Sequence, residues 1–135
     1  MSFKYLIFHY WKSIIITCII LYLSFASPST FKDVPTFTNE DKFVHLLMYA
    51  GLTGILMFDF RQYARNRNTT ITAFLIICIL FPVLLGGVVE IIQPIYFPPR
   101  TADWFDWFSD ITGVFVGWMV MRSITPLFPG EKNKE

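Results

Sequence analysis

Apolar residues fall along the chain in four long runs, and the stretches between them hold most of the prolines. The first run, Tyr5 to Ala26, has roughly the 20 residues that a helix needs to cross ~30 Å of hydrocarbon. Three more follow, from about Asp41 to Phe60, from Thr72 to about Gln93 and from about Asp103 to Ile124. The pattern predicts helices over 5–26, 41–60, 72–93 and 103–124, an all-α four-transmembrane-helix bundle. Pro28 and Pro35 mark the first loop, and Thr38-Asn39 before Glu40-Asp41 offers N-caps for the second helix. Pro82 with the Gly86-Gly87 pair predicts a kink in the third helix. Pro94 to Pro99 reads as a tight re-entry loop, with Thr101 as a cap for the last helix. Linkers this short predict one domain over 1–126, and 127–135 is a short charged tail.

Composition supports the membrane reading. The 135 residues are 54% hydrophobic, 19% aromatic and only 16% charged, well outside the mixture of a soluble domain. No basic stripe of the kind nucleic acid requires is present. Cys18 and Cys78 sit in apolar runs away from acids and histidines, which predicts core thiols. A signal peptide competes for the first run, since Lys4 could form a charged start and Ser24-Phe25-Ala26 resembles a cleavage site. Tyr5, Phe8, Tyr10 and Trp11 suit instead a retained helix with an interfacial aromatic belt. Short loops set orientation through Lys and Arg. A cytoplasmic N-terminus puts eight of them inside, among them Lys12, Arg61, Arg65, Arg67 and Arg122, against Lys32, Lys42 and Arg100 outside. Both termini are then cytoplasmic.

On this placement, polar groups from three runs converge on the outer face. Asp41, His45 and Tyr49 recur every four residues along one side of the second helix. Gly51 and Gly54 on the same helix would allow close approach. Gly86, Glu90 and Gln93 share a face of the third. Asp103, Asp106, Asp110, Gly113 and Gly117 form one stripe on the fourth, acidic outside and glycine inside. The glycine pair admits close approach of the second or third helix, and serves contacts within or between chains equally well. Asp110 lies about 10 Å deeper than Asp103 at 1.5 Å per residue, where a carboxylate needs a partner, water or a proton. Lys42, Arg100 and His45 are the expected partners, and Arg100 suits a two-pronged pair with Glu90 or Asp106. Helix-to-helix hydrogen bonding is the simplest role for these groups. Five carboxylates (Asp41, Glu90, Asp103, Asp106 and Asp110) nevertheless exceed what Lys42 and Arg100 neutralise, which implies a cation, a proton or a cationic ligand group. Glu90, Asp106 and Asp110 are candidate ligands for a divalent cation, although no metal motif of known spacing is present.

Asp41-Lys42-x-x-His45-x-x-x-Tyr49, Glu90-x-x-Gln93, Arg100, Asp103-x-x-Asp106 and Gly113-x-x-x-Gly117 together resemble the VanZ-like family of bacterial integral membrane proteins. The similarity covers about 41–117 and departs at Asp110, where Asn is commoner. The resemblance implies a multi-pass protein of the bacterial cytoplasmic membrane with a cell-envelope role. Through the family's founder it also implies tolerance to the glycopeptide teicoplanin. It brings no established activity, so whether the chain is an enzyme stays open. One role is binding or modifying an amphiphile, such as a lipid-linked precursor or lipoglycopeptide, through Asp41, Lys42, His45, Tyr49, Glu90, Gln93, Arg100, Asp103, Asp106 and Asp110. A second is a membrane hydrolase or transferase on an outer-leaflet lipid-linked substrate. In it Glu90 or Asp106 acts as general base, His45 as acid/base, and Arg100 holds a phosphate or carboxylate. A third is a structural or assembly protein in which the cluster packs helices. Membrane lipids are partners in all three.

Overall fold

The first apolar run folds as α1 (Phe3–Phe25), bent at Tyr10, where φ is −107° and ψ is 16°. The computed structural model describes residues 3–26, 30, 33, 37–65, 67–98 and 101–125. The expected loop prolines Pro28 and Pro35, Pro99, Arg100 and the 127–135 tail lie outside the described residues.

The second run gives α2 (Glu40–Ala64). His45, Tyr49, Leu52, Leu56 and Phe60 recur at helical spacing on its inner side and are buried. This helix passes its expected end at Phe60 because Arg61, Gln62 and Tyr63 are polar or aromatic but break nothing. Asn39 precedes it in the left-handed region at φ 64° and makes no side-chain cap. Instead the Phe37 N–H donates to Glu40 Oε2 at 3.1 Å.

The third run is one helical stretch, α3 (Ile71–Tyr96), with three parts: an α-helical turn Ile71–Phe74, a π-helix Leu75–Leu80 and an α-helix Phe81–Tyr96. Thr70 caps it, its hydroxyl accepting from the Ala73 N–H at 3.2 Å. The irregularity expected at Pro82 and the glycines takes the form of this wider π stretch just before the proline. There Phe81 N–H donates five residues back, to the Ile76 carbonyl. Pro82 has no N–H for the carbonyl four residues back and its ring crowds it, so a widened turn relieves the clash. Pro94 does not end the helix, as expected from sequence, but lies inside it. A proline in the last turn costs one hydrogen bond, and Phe97 N–H restores closure by donating to the Gln93 carbonyl at 3.0 Å.

The fourth helix, α4 (Trp104–Ile124), is capped by Asp103 rather than Thr101, with the Phe105 N–H donating to Asp103 Oδ1 at 2.9 Å.

The helices alternate in direction, as the cross-contacts show. Lys12 of α1 meets Asp59 of α2 near one end of the bundle, while the Ser24 carbonyl of α1 accepts from Gln93 Nε2 of α3 at the other. Alpha helices α2 and α4 run parallel and form the spine. A Cβ on Gly113 would strike the Leu46 carbonyl, and one on Gly117 the Ala50 carbonyl. The expected approach at Gly51 does not occur, because its open side faces no atom within 4 Å, and Gly54 meets only the Met121 side chain at ordinary contact distance. Tyr49, Leu52, Leu56, Phe60, Phe74, Cys78 and Val114 fill the centre. Cys18, expected in the core, is exposed on α1.

α1, α2 and α3 are each long and apolar enough to cross a membrane. α4 has 21 residues but falls short in apolarity because Asp106, Ser109, Asp110 and Thr112 interrupt it. The outer surfaces are apolar, with Phe8, Ile15, Leu47, Leu84, Ile91, Phe108 and Phe115 exposed. In water that surface would be an aggregation site; against lipid it costs nothing. The chain is an all-α integral, multi-pass membrane protein. At the Lys12/Asp59 end, the Arg67 guanidinium stacks over Tyr5 at 4.5 Å and Tyr63 at 5.4 Å, a cationic and aromatic collar of the kind found at bilayer interfaces.

Candidate functional site

At the opposite end, three helices bring their polar groups together. The process starts with glycine. Gly113 and Gly117 seat α4 directly on the α2 backbone, which brings Asp110 Oδ1 to 2.8 Å from His45 Nδ1. Gly86 makes the matching space on α3, where any Cβ would collide with the Asp110 carboxylate. Glu90, one turn beyond Gly86, then reaches the start of α4, its Oε2 accepting from the Asp103 N–H at 3.0 Å. Trp107 locks the same two helices, its Nε1 donating to the Val83 carbonyl at 2.9 Å over Gly87. Nearer the surface, Lys42 Nζ sits 3.2 Å from Asp103 Oδ2 and 3.6 Å from Asp106 Oδ1.

These side chains form a graded track into the bundle. Side-chain exposure falls from 39% at Asp103 and 35% at Lys42 to 15% at Asp106, 9% at His45 and 0% at Asp110. At the inner end, Glu90 Oε1 and Asp110 Oδ2 are buried without a hydrogen-bond donor among the described residues, and so is the Tyr49 hydroxyl. Asp106 Oδ1 has no hydrogen bond either, only the longer contact to Lys42. One donor atom from each of His45, Glu90 and Asp110 lies within 4.8 Å of the others.

Most of the sequence-predicted residues therefore share one place: Lys42, His45, Tyr49, Glu90, Asp103, Asp106 and Asp110. Three stand apart. Asp41 is exposed, because it lies at the level where α4 is only beginning and nothing yet covers α2. Gln93 is buried, but its amide turns to the Ser24 carbonyl of α1, so it ties helices beside the track. Arg100, the expected partner of Glu90 or Asp106, lies outside the described residues. Asp110 takes His45 as its partner. The candidate metal set shifts accordingly, with His45 joining Glu90 and Asp110 in place of Asp106.

Asp103 is the outermost acid of the track. The Phe105 N–H and then the Lys42 ammonium hold its carboxyl below the usual carboxylate range. A depressed value means that its contribution is present above the ordinary Asp value of about 3.9 and is lost as pH falls through the lower folded value. Asp103→Asn keeps the cap and loses only the half-exposed Lys42 pair, so it is expected to cost less at neutral pH than Asp103→Ala, which also loses the cap, at about 1 kcal/mol. The denaturation midpoint in detergent checks the difference between the two.

Sequence reasoning missed a second buried polar contact. Asp59 is fully buried near the far end of α2, where its Oδ1 accepts from Lys12 Nζ at 3.0 Å and its Oδ2 from Ser13 Oγ at 2.7 Å and Ser13 N–H at 3.1 Å. At the end of the run expected over 41–60 it reads as an interfacial residue, and only the continuation of α2 to Ala64 places it where a partner is required.

No protein-family model, curated protein or solved structure matches this chain. The weight of a functional assignment therefore rests on the cluster: a buried polar and charged group packed between the helices of an apolar bundle.

Proposed function

We propose that this protein is a membrane hydrolase or transferase acting on a lipid-linked molecule of the bacterial cell envelope, with its reaction centre at the His45, Glu90 and Asp110 floor. One observation carries this: Glu90 Oε1 and Asp110 Oδ2 are buried, and bare among the described residues, at the inner end of a track that begins at the surface. Each bare buried acceptor costs about 1–3 kcal/mol, and more when charged. A substrate group that supplies donors or positive character to those oxygens would recover the cost.

Roles follow from depth. Lys42 at the rim suits a phosphate or carboxylate of the incoming head group. Asp106, between rim and floor and with no hydrogen bond at Oδ1 among the described residues, is placed to carry a proton to or from the reacting oxygen. The apolar outer faces would leave the substrate's chain in lipid. The VanZ-like motif residues support an envelope substrate and the cytoplasmic membrane, the short linkers support one domain over residues 1–126, and the run from Asp103 to Ile124 supports α4 as a fourth span. The Lys and Arg distribution supports both termini inside. Glycopeptide recognition rests on the motif alone.

A packing role is the competing reading, favoured by the fact that the His45–Asp110, Glu90–Asp103 and Gln93–Ser24 contacts each join two helices. Protein in nanodiscs incubated with envelope lipid extract, followed by mass spectrometry, separates the two. Wild type is expected to convert one lipid-linked component, and Asp106→Asn to slow that conversion by about a hundredfold with helix content unchanged. If no component changes mass in the presence of wild type, the enzymatic assignment fails. Loss of folded protein in both Glu90→Gln and Asp106→Asn would favour packing.

A further inference from the structure

The His45–Glu90–Asp110 floor offers more than acid and base. We propose that it is a binding site for one divalent transition-metal ion of the zinc type, with one donor from each of the three residues. The inference rests on reading the cluster as a site rather than as packing, but it does not require turnover.

The donor atoms already lie within 4.8 Å of one another, so small side-chain rotations close them onto bonds of about 2.1 Å. The 2.8 Å contact between His45 Nδ1 and Asp110 Oδ1 is a hydrogen bond that the ion would replace, the two atoms separating to about 3.4 Å around bonds of about 2.1 Å. Each residue comes from a different helix, and each helix is held in place by contacts other than these donors. Gly113 and Gly117 fix α4 on α2, and Trp107 fixes α4 on α3. The helices that carry the three donors are therefore held together by the fold as well as by the donors' own hydrogen bonds.

A second, separate observation points to a ligand. Tyr49, one turn below His45 on α2, is wholly buried, and its hydroxyl finds no partner among the described residues. It stands within electrostatic reach of both the Asp110 and Glu90 carboxylates without bonding to either.

Charge agrees. Glu90, Asp103, Asp106 and Asp110 put four carboxylates along the track, and among the described residues Lys42 and the His45 ring are the basic groups that contact them. A divalent ion offsets what these leave. One imidazole nitrogen with two carboxylate oxygens favours zinc or a neighbouring transition ion over calcium or magnesium, which prefer oxygen throughout. Three protein donors leave one position of a four-coordinate ion for another group.

The test uses the full chain, purified in detergent through a tag without histidine, stripped with EDTA and returned to metal-free buffer. Zinc is titrated by calorimetry, and cobalt by visible absorption. One Zn2+ per chain is expected, along with a cobalt band that zinc displaces. Glu90→Gln and Asp110→Asn are each expected to weaken zinc binding at least about tenfold, and His45→Gln to remove the nitrogen signature from the cobalt spectrum. Helix content by circular dichroism identifies any variant that does not fold, and wild type decides the matter without them. No saturable zinc uptake by wild type overturns the site, as does preference for calcium or magnesium, or zinc binding unchanged in folded Glu90→Gln and Asp110→Asn. Zinc bound without lipid conversion would keep the ion and remove the enzyme; lipid conversion by a protein that takes up no zinc would do the reverse.

Discussion

Gly113→Ala and Gly117→Ala are each expected to lower the denaturation midpoint of the purified protein sharply, and the double variant to fail to accumulate as a folded bundle. Each added Cβ would strike a backbone carbonyl of α2, Leu46 for the first and Ala50 for the second. Backbone cannot rotate out of the way as a side chain can, so α4 must lift from α2 along its length. Overpacking of this kind costs about 1–3 kcal/mol per site, occasionally more. The same lift separates His45 from Asp110, so activity and metal binding are expected to fall before the fold is lost. Gly51→Ala is the control. It adds a methyl group to open space, and replacing glycine within a helix stabilises by up to about 1 kcal/mol. Thermal or SDS titration of the three variants side by side measures the contrast. Equal effects at Gly51 and Gly113 would contradict the close α2–α4 seat.

The second large effect concerns Lys12 and Asp59, and it is asymmetric. Lys12→Met removes the charge opposite a carboxylate with no exposure, while the lysine it replaces was 32% exposed. Breaking a buried pair in this way costs about 3–5 kcal/mol, because the remaining charge has nowhere to go. Asp59→Asn is expected to be milder, since Lys12 can extend its stem toward the membrane surface and an amide oxygen can still accept from Ser13. The double variant Lys12→Met/Asp59→Leu leaves no charge behind. It is expected to recover much of the loss, apart from the unpaired Ser13 hydroxyl. A double-mutant cycle on unfolding free energies checks both the order and the recovery. Additive single effects would mean that the two side chains do not interact.

Much of this architecture is legible in the amino-acid sequence, for a physical reason. Lipid demands that each span satisfy its own backbone, so an apolar run of the right length has few alternatives to a helix. Spacing also reveals the faces: His45 and Tyr49 one turn apart, Asp103, Asp106 and Asp110 in a stripe, Gly113 and Gly117 beneath them. The neighbour is what spacing cannot reveal. Lys12 and Asp59 each look like an anchor at the end of a span, and their pairing across 47 positions depends on the direction in which α1 returns along α2. Asp41 shares its periodicity with His45, yet stays exposed because periodicity does not register where the facing helix begins. Pro82 marks an irregularity in the third helix but not its form, since Leu75 to Leu80 is apolar on every side and any turn width suits it. Pro94 misleads for the opposite reason: the rule that proline ends helices is strong in the middle of a helix and weak in its final turn.

The π stretch carries one more consequence. An α-helix turns about 100° for each residue, so widening a turn by one residue rephases everything after it. Phe74, just before the stretch, is packed edge-on against Phe60 with ring centroids 5.6 Å apart. With that end pinned, the direction in which Gly86 and Glu90 face depends on the winding between as well as on the residues that touch them. The length of that segment is therefore a determinant in its own right. Losing one residue among Leu75 to Leu80 would swing Glu90 about a quarter-turn away from Asp110, although every side chain of the floor would still be present in the chain.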